Sequence, residues 1–335
     1  MSDLCNNAKA VVAPLIDALY NSADGKLPTV LNTVMDADCK IHFTHPIEDL
    51  TGPASYYESV YAPLIKAIPN LERRDYITIA GDAHGEIRVG CAGFYSGIFL
   101  SPWLDIPATG QIVHMRFHEF YRVADNKVVE IQSVWDIPAL MMQAGAWPMA
   151  PALGAEWLVP GPATQDGRVQ APRDSVRSAE STKLVSDMLL SLGKFATGGV
   201  DAMQLDRYWH PSFYWYGPAG IGSCCGIDGF RTCHQIPFLN AMPDRVGSGE
   251  TGHLFGDGDY VGYTGWPGMN MTVSGDGWLG IAPCNKKISM RSLDFWRCEN
   301  GLIRENWVLI DLLDVYNQLG VNVLNRMCEM TAFRR

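Results

Sequence analysis

The sequence predicts two α+β domains in tandem, each with helices followed by a sheet that encloses a pocket. Three observations predict this class. With 335 residues, the chain is long enough for two domains with full cores. Residues 115–145 align without a gap with residues 290–320. Within each copy, helical periodicity gives way to strand alternation near the middle, which is the element order of an α+β fold.

The aligned stretch is an internal repeat with an offset of 175 residues. Farther upstream, Gly52 aligns with Gly226 and Pro69 with Pro243 at an offset of 174. A unit of about 150 residues is too long for a solenoid repeat and indicates duplication of a whole domain. The eight identities in the stretch are Met115/Met290, Arg116/Arg291, Phe120/Phe295, Arg122/Arg297, Glu130/Glu305, Asp136/Asp311, Gln143/Gln318 and Gly145/Gly320.

The predicted domain boundaries follow from this repeat. Residues 1–150 form copy 1 and residues 176–335 form copy 2. Residues 151–175 are rich in Pro, Gly and Ala and lack helical or alternating periodicity, which predicts a semi-stiff linker.

Each copy begins with helical segments. Apolar residues at helical spacing predict a first helix over 8–21, with its counterpart over 182–196, and a second short helix over 27–35 or 200–208. A strand and a third helix follow, the latter entered after a Gly-Pro turn in copy 1. Residues 75–135 and 250–311 then predict alternating strands. A tight hairpin turn and a short helix, capped by Gly145 or Gly320, close each copy.

Composition narrows the class of partner. The net charge of −10 argues against nucleic acid or an anionic membrane as the main partner. No apolar run reaches the roughly 20 residues of a membrane span, and we expect no secretory signal at the start. The nine Cys form no CxxC pair, which predicts reduced thiols and a cytoplasmic protein.

The end of copy 2 carries a recognisable pattern. It consists of an aromatic-Arg pair, a turn ending in Gly, Ile-x-Glu-x-Trp, an Asp and Gln-x-Gly, contributed by Trp296, Arg297, Gly301, Ile303, Glu305, Trp307, Asp311, Gln318 and Gly320. This pattern resembles the SnoaL-like polyketide cyclase family, within the nuclear-transport-factor-2-like superfamily. The resemblance implies cone-like domains, each with a strongly curved antiparallel or mixed sheet and N-terminal helices around the pocket. It also implies aldol cyclisation by an acid/base carboxylate, without a cofactor or a metal.

Both copies depart from the family at its acid/base residues. The position of the family's Asp holds Ser133 in copy 1 and Val308 in copy 2, and the position of the family's His holds Glu119 and Asp294. Asp136 and Asp311 lie three residues after the vacant position, where each could be catalytic or a helix N-cap.

Strand alternation groups the candidate pocket residues. A pocket-facing Glu119 predicts that Met115, Phe117, Ser133 and Trp135 face the same way. In copy 2 the corresponding set around Asp294 is Met290, Asn306 and Val308. A carboxylate on such an apolar wall should have a raised pKa, which suits a general base. Asp294 could instead form a buried hydrogen bond with Asn306. The more polar wall around Glu119 favours copy 1.

Histidines offer weaker candidates. His45 lies near the expected pocket mouth and could be a second acid/base or a surface residue. The spacings His42-x2-His45 and His114-x3-His118 are not diagnostic of a metal site, and Arg116 between the latter two would repel a cation. We expect His114, Arg116 and His118 on the outer sheet face.

Three functions fit these observations. The first is a cofactor-free cyclase, dehydratase or isomerase acting on a hydrophobic, carbonyl-bearing small molecule. The second is a non-catalytic small-molecule binding protein, since the family's Asp is replaced in both copies. The third is a scaffold whose duplication serves assembly. We expect the two copies to form an intramolecular pseudo-dimer, with further homo-oligomerisation possible.

Overall fold

A computed structural model describes residues 2–247 and 252–332 of the chain. The chain forms two compact units, which are described separately here. Unit 1 comprises Met1–Pro148, Thr164–Pro172 and Asp311–Arg335, and unit 2 comprises Met149–Ala163 and Arg173–Ile310. The segment predicted as a linker therefore contributes residues to both units.

Unit 1 contains the α+β order that the sequence predicts. Its six-stranded sheet has the order β2-β1-β6-β5-β4-β3, with β1 parallel to β6 and the other pairs antiparallel. The elements are α1 (Ser2–Tyr20), α2 (Leu27–Val34), β1 (Met35–Phe43), β2 (Leu50–Thr51), α3 (Gly52–Tyr56), α4 (Ala62–Ala67), β3 (Glu72–Ala83), β4 (Glu86–Ile98), β5 (Ile112–Ala124), β6 (Lys127–Trp135) and α5 (Ile137–Gln143).

Unit 2 repeats this order up to the end of its last strand. Its sheet has the order β10-β11-β12-β13-β7-β8, and β9 also pairs with β11. The elements are α6 (Ser175–Leu192), α7 (Phe195–Ala202), α8 (Leu205–Tyr208), β7 (Trp209–Tyr216), β8 (Ser223–Cys225), α9 (Gly226–Phe230), α10 (Ile236–Ala241), β9 (Val246–Gly247), β10 (Gly252–Asp257), β11 (Tyr260–Val273), β12 (Lys286–Glu299) and β13 (Leu302–Ile310). Helices α11 (Leu312–Gln318) and α12 (Val323–Ala332) belong to unit 1.

Several helix boundaries differ from the prediction for physical reasons. Helix α6 begins seven residues earlier than predicted because the Asp174 side chain caps it, accepting from the backbone N–H groups of Val176 and Arg177. The helix predicted over 200–208 is replaced by α7 and α8, and Gly199 within α7 has a positive φ of 67°.

Strand pairing confirms the 175-residue offset of the repeat. Glu119 lies opposite Ser133 in unit 1, and Asp294 lies opposite Val308 in unit 2. The identical residues also repeat one interaction. Arg122 pairs with Glu130 at 3.0 Å, and Arg297 pairs with Glu305 at 2.5 Å. This identity between the copies therefore maintains an ion pair in the hairpin of each sheet.

A π-helical turn interrupts the third helical segment of both copies. It spans Tyr57–Tyr61 in unit 1 and Arg231–Gln235 in unit 2. The offset here is 174 residues, so Tyr61 and Gln235 occupy equivalent positions. Both residues are buried. Such turns recur at functional sites because they redirect side chains relative to an α-helix.

Strand β11 contains an irregularity that changes the alignment of the two sheets. Gly93 and Tyr95 of β4 lie opposite Phe117 and Met115, whereas Gly265 and Met269 of β11 lie opposite Ser292 and Met290. Between these paired positions, β11 has two residues more than β4. Tyr95 of β4 therefore corresponds to Met269 of β11.

The next strand shows the same correspondence. Arg73 lies opposite Tyr95, and Gly247 lies opposite Met269. Asp75 lies opposite Gly93, and Gly252 lies opposite Gly265. In unit 2, glycine therefore stands at the positions that Arg73 and Asp75 occupy in unit 1.

Chain segments between the copies pair with one strand in each unit. Beside β3, Thr78 exchanges backbone hydrogen bonds with Gly167 and Val169 at 2.9 and 3.0 Å. Beside β8, Ala155 and Ser223 exchange two backbone hydrogen bonds of 2.8 Å. Both strands lie at the ends of their sheets, so these segments satisfy groups that would otherwise form open edges.

Candidate functional site

The interior of unit 1 is organised around Glu119. This residue is fully buried on β5. Its carboxylate accepts hydrogen bonds from Arg73 Nη1 at 2.6 Å and from Trp135 Nε1 at 2.9 Å. The Tyr121 hydroxyl donates a third, and longer contacts of 3.4 and 3.5 Å come from the hydroxyls of Tyr95 and Ser133. Glu119 therefore faces the interior, as predicted, and has several donors.

Arg73 links this carboxylate to a second one. Its guanidinium donates to both oxygens of Asp75, at 2.8 and 2.9 Å, and lies 4.3 Å from the centre of the Phe117 ring. The side chains of Arg73, Asp75 and Glu119 are almost completely buried. Such a cluster is stable only while its charges remain paired and hydrogen-bonded.

Aromatic side chains occupy the space around this cluster. The Tyr61 hydroxyl contacts those of Tyr56 and Tyr95 at 3.2 and 3.3 Å, and the Tyr95 and Trp135 ring centres lie 4.8 Å apart. Phe43 packs edge-on against Trp135 at 4.8 Å. Burial raises the pKa of Tyr61, so its hydroxyl stays protonated. Unit 1 thus packs its own side chains around Glu119 and leaves that carboxylate no exposed surface.

Unit 2 places Asp294 in a different environment. Asp294 accepts a hydrogen bond from the Ser292 hydroxyl at 3.1 Å and is only half-buried. Gly247 stands where unit 1 has Arg73, so unit 2 offers no guanidinium from that position. Burial of the carboxyl group raises the pKa of Asp294 to about 7, and the Ser292 hydrogen bond only partly opposes this.

The wall around Asp294 lacks two large aromatic side chains of its counterpart. Among the predicted pocket residues, Met290 and Val308 are buried on the same face. At equivalent positions Phe117 is replaced by Ser292, and Trp135 by Ile310. Tyr263 lies opposite Asp294, and burial together with the Asp294 charge raises its pKa to about 12. Asp294 is half-buried whereas Glu119 is fully buried, so the carboxyl group of unit 2 is the more accessible of the two.

Asn306 does not bond with Asp294. Its amide donates to the backbone carbonyl of Phe295 at 2.9 Å, and its strand partner is Trp296. The alternative that Asp294 is held by Asn306 is therefore wrong, because Val308, two positions farther along β13, lies opposite Asp294.

The two other aspartates have structural contacts. Asp136 pairs with Arg116 at 3.0 Å, and its side chain does not cap α5. Asp311 caps α11 by accepting from the Asp314 N–H at 3.2 Å. It also accepts from the backbone N–H of His45 at 2.9 Å. The N-cap interpretation thus holds for Asp311 and fails for Asp136, which forms an ion pair instead.

The histidines mostly pair with nearby carboxylates or lie buried. His42 and His45 contact Asp49 and Glu48 at 2.9 and 2.6 Å. His118 and Arg116, both expected on the outer sheet face, are buried. Within residues 2–247 and 252–332, three or more His, Cys, Asp or Glu side chains nowhere gather as a metal site would require.

Comparison with protein families decides the family. The model for the SnoaL-like polyketide cyclases matches residues 10–144 and again 195–319, which together make up most of the chain. The chain belongs to the SnoaL-like polyketide cyclase family. Its two matched segments are the two copies of the repeat, so this member carries the family fold twice in one chain.

Several solved structures of shorter proteins each resemble about two fifths of this chain. AclR from Streptomyces galilaeus, a hydroxylase candidate, is 18% identical over 42% of this chain and 97% of its own, with a TM-score of 0.36. IdmH from Streptomyces antibioticus, a polyketide cyclase candidate, is 18% identical over 40% and 97%, with a TM-score of 0.34. A SnoaL-like polyketide cyclase from Agrobacterium tumefaciens is 22% identical over 40% and 94%, with a TM-score of 0.32. No curated protein matches the chain. No described helix is both long and apolar enough to cross a membrane.

Sequence reasoning missed several residues of this SnoaL-like interior. Arg73 could have been found from strand alternation after Pro69, which places it and Asp75 on one face. The pairing of Tyr263 with Asp294 could not be read from the repeat, because the irregularity in β11 shifts the alignment. Gln235 depends on the π-helical turn, which has no simple sequence signal.

We expect Arg73→Met to destabilise unit 1 by about 3–5 kcal/mol, because it leaves the buried carboxylates of Asp75 and Glu119 without their cation. Urea denaturation measures the change. The matched control is Arg74→Met, since Arg74 is exposed and pairs with exposed Glu72; it should change stability by less than about 0.5 kcal/mol. Equal effects of the two substitutions would contradict the buried cluster.

Proposed function

We propose that this protein is a cofactor-free acid/base enzyme of the cyclase or isomerase kind, with its working site in unit 2 and Asp294 as general base. The substrate would be a hydrophobic small molecule that carries a carbonyl group. The observation that carries the proposal is the state of Asp294, which is half-buried, bonded to Ser292 and raised in pKa to about 7. A base with a pKa near the working pH is the most effective one.

Glu119 is the weaker candidate despite its equivalent position. Arg73 and four hydroxyl or indole groups surround it, and it is fully buried. A carboxylate that is fully buried and already bonded to several donors offers a substrate no free surface. The polar wall that favoured copy 1 in the sequence is thus the feature that argues against it as a base.

The proposed reaction requires only proton transfer and carbon–carbon bond formation. Asp294 takes a proton from the carbon beside the carbonyl, and the C–H electron pair becomes an enolate. In a cyclisation, the enolate carbon attacks a second carbonyl carbon of the same molecule. The resulting alkoxide takes the proton back from Asp294, so the carboxylate is regenerated.

The alternative is a small-molecule binding protein. The replacement of the family's Asp by Ser133 and Val308 favours it. The two functions differ in one measurable property, since a binding protein would not speed proton transfer from a bound ketone.

We expect the protein to speed exchange of the α-protons of tetralone for deuterium in D₂O, followed by NMR. Asp294→Asn keeps the shape of the side chain and removes the base, so exchange should fall about a hundredfold. Arg74→Met, on the surface of unit 1, serves as the matched control and should leave exchange unchanged. Tetralone bound without accelerated exchange would support the binding protein instead.

The pH dependence supplies a separate check. Exchange should rise with pH up to about 7 and then level off, because the Asp294 carboxylate must be ionised to accept a proton. Stability should change in the opposite sense. The folded-state pKa lies above the ordinary 3.8, so wild type should lose stability relative to Asp294→Asn as pH rises from about 4 to about 7. A stability difference that is independent of pH would contradict the raised pKa.

A further inference from the structure

Unit 2 has several buried side-chain polar atoms without a hydrogen-bond partner, and two of them stand at positions whose unit 1 counterparts belong to the hydrogen-bond network of Glu119. These two are the indole Nε1 of Trp296 and the side-chain oxygen Oε1 of Gln235. The exposed fractions of the two residues are 2% and 4%. An unpaired buried donor or acceptor destabilises the folded state, and a ligand that supplies the missing partner removes that cost.

Trp296 lies beside the proposed base. It is two residues from Asp294 on β12, so both side chains project from the same face of the strand. Asn306, its partner on β13, donates to backbone carbonyls instead. The indole N–H is a donor only, and its missing partner must therefore be an acceptor.

Gln235 reaches the interior from the helical side. It ends the π-helical turn Arg231–Gln235, at the position that Tyr61 holds in unit 1. There the Tyr61 ring lies 5.9 Å from that of Trp135, against the same interior that holds Glu119. An amide oxygen is an acceptor, so the missing partner of Gln235 Oε1 must be a donor.

Unit 1 shows what these two positions do when the interior is filled. Tyr121, the counterpart of Trp296, donates to Glu119. Tyr61, the counterpart of Gln235, contacts the Tyr95 hydroxyl at 3.3 Å, and Tyr95 contacts Glu119 at 3.4 Å. Both positions therefore belong to the hydrogen-bond network of the interior carboxylate. In unit 2, Met269 replaces Tyr95 and cannot continue that network.

We propose that Trp296 and Gln235 are the two polar anchors of a ligand held over Asp294, a ketone that also carries a hydroxyl group. The Trp296 N–H donates to the carbonyl oxygen, and Gln235 Oε1 accepts from the hydroxyl. This inference rests on the proposed function and makes its substrate class narrower. When Asp294 removes the α-proton, negative charge develops on the oxygen that Trp296 contacts, so the same hydrogen bond stabilises the enolate.

The anchors predict a preference among three probes that share one carbon skeleton. These are a hydroxytetralone, tetralone without the hydroxyl, and the tetrahydronaphthol without the carbonyl. A site built to hydrogen-bond a group rejects the analogue that lacks it, so the hydroxytetralone should bind at least about tenfold more tightly than either analogue. Isothermal titration calorimetry on the full chain measures the three affinities.

Two substitutions assign the preference to the anchors. Gln235→Met should abolish the preference for the hydroxyl, and Trp296→Phe should abolish the preference for the carbonyl. Tyr121→Phe, the counterpart of Trp296 in unit 1, should leave both preferences intact. Equal binding of the three probes by the wild type, or preferences that survive both unit 2 substitutions, would overturn the inference.

The stability of the ligand-free protein distinguishes a ligand-binding role of Gln235 from a structural one. Gln235→Met removes an unpaired acceptor and should leave the ligand-free protein equally or more stable in urea. Tyr61→Phe, at the equivalent position, removes bonded contacts and should lower stability. A loss for Gln235→Met as large as that for Tyr61→Phe would show that Gln235 is structural.

Failure of this inference differs from failure of the proposed function. Accelerated deuterium exchange in tetralone without any preference among the probes would remove the anchors and keep Asp294 as base. The reverse result, clear preferences with no exchange, would keep the anchors and identify a binding protein.

Discussion

An ionisable carboxylate on the inner face of each sheet is the constraint on which the rest of both interiors depends. A buried charge must be paired, hydrogen-bonded or neutralised by a shift in its pKa. Unit 1 pairs Glu119 with Arg73 and surrounds it with donors. Unit 2 leaves Asp294 with the Ser292 hydroxyl, and the pKa of Asp294 rises to about 7. One position in a duplicated fold thus meets the same constraint in two ways.

The other differences between the units are consistent with that choice. The Arg73 guanidinium also bonds Asp75, a second anion, and aromatic residues pack around the cluster. In unit 2, Gly247 and Gly252 stand at the positions of Arg73 and Asp75, and smaller residues replace Phe117 and Trp135. The cation and two large aromatic side chains of unit 1 are thus absent from the interior that we propose as the site. Duplication allows this division, because one copy can support the fold while the other keeps a half-buried acid.

The sequence was sufficient to predict the fold and the inward direction of both carboxylates. The ungapped repeat fixed strand equivalence, and strand alternation placed Glu119 and Asp294 on the inner face. Its preference for copy 1 did not take account of Arg73, which reaches Glu119 from a strand 46 residues away in the sequence. It also missed Gln235, which lies in a π-helical turn, and it did not predict that Asp136 pairs with Arg116.

The central claim is that unit 2 holds an uncompensated carboxyl group that titrates near neutral pH. The most direct test is NMR titration of the protein labelled with carbon-13 at the aspartate side-chain carboxyl groups, with Asp294 assigned from the Asp294→Asn spectrum. The account predicts that the Asp294 signal shifts with a midpoint near pH 7. A midpoint in the ordinary range of an aspartate, near pH 4, would contradict it.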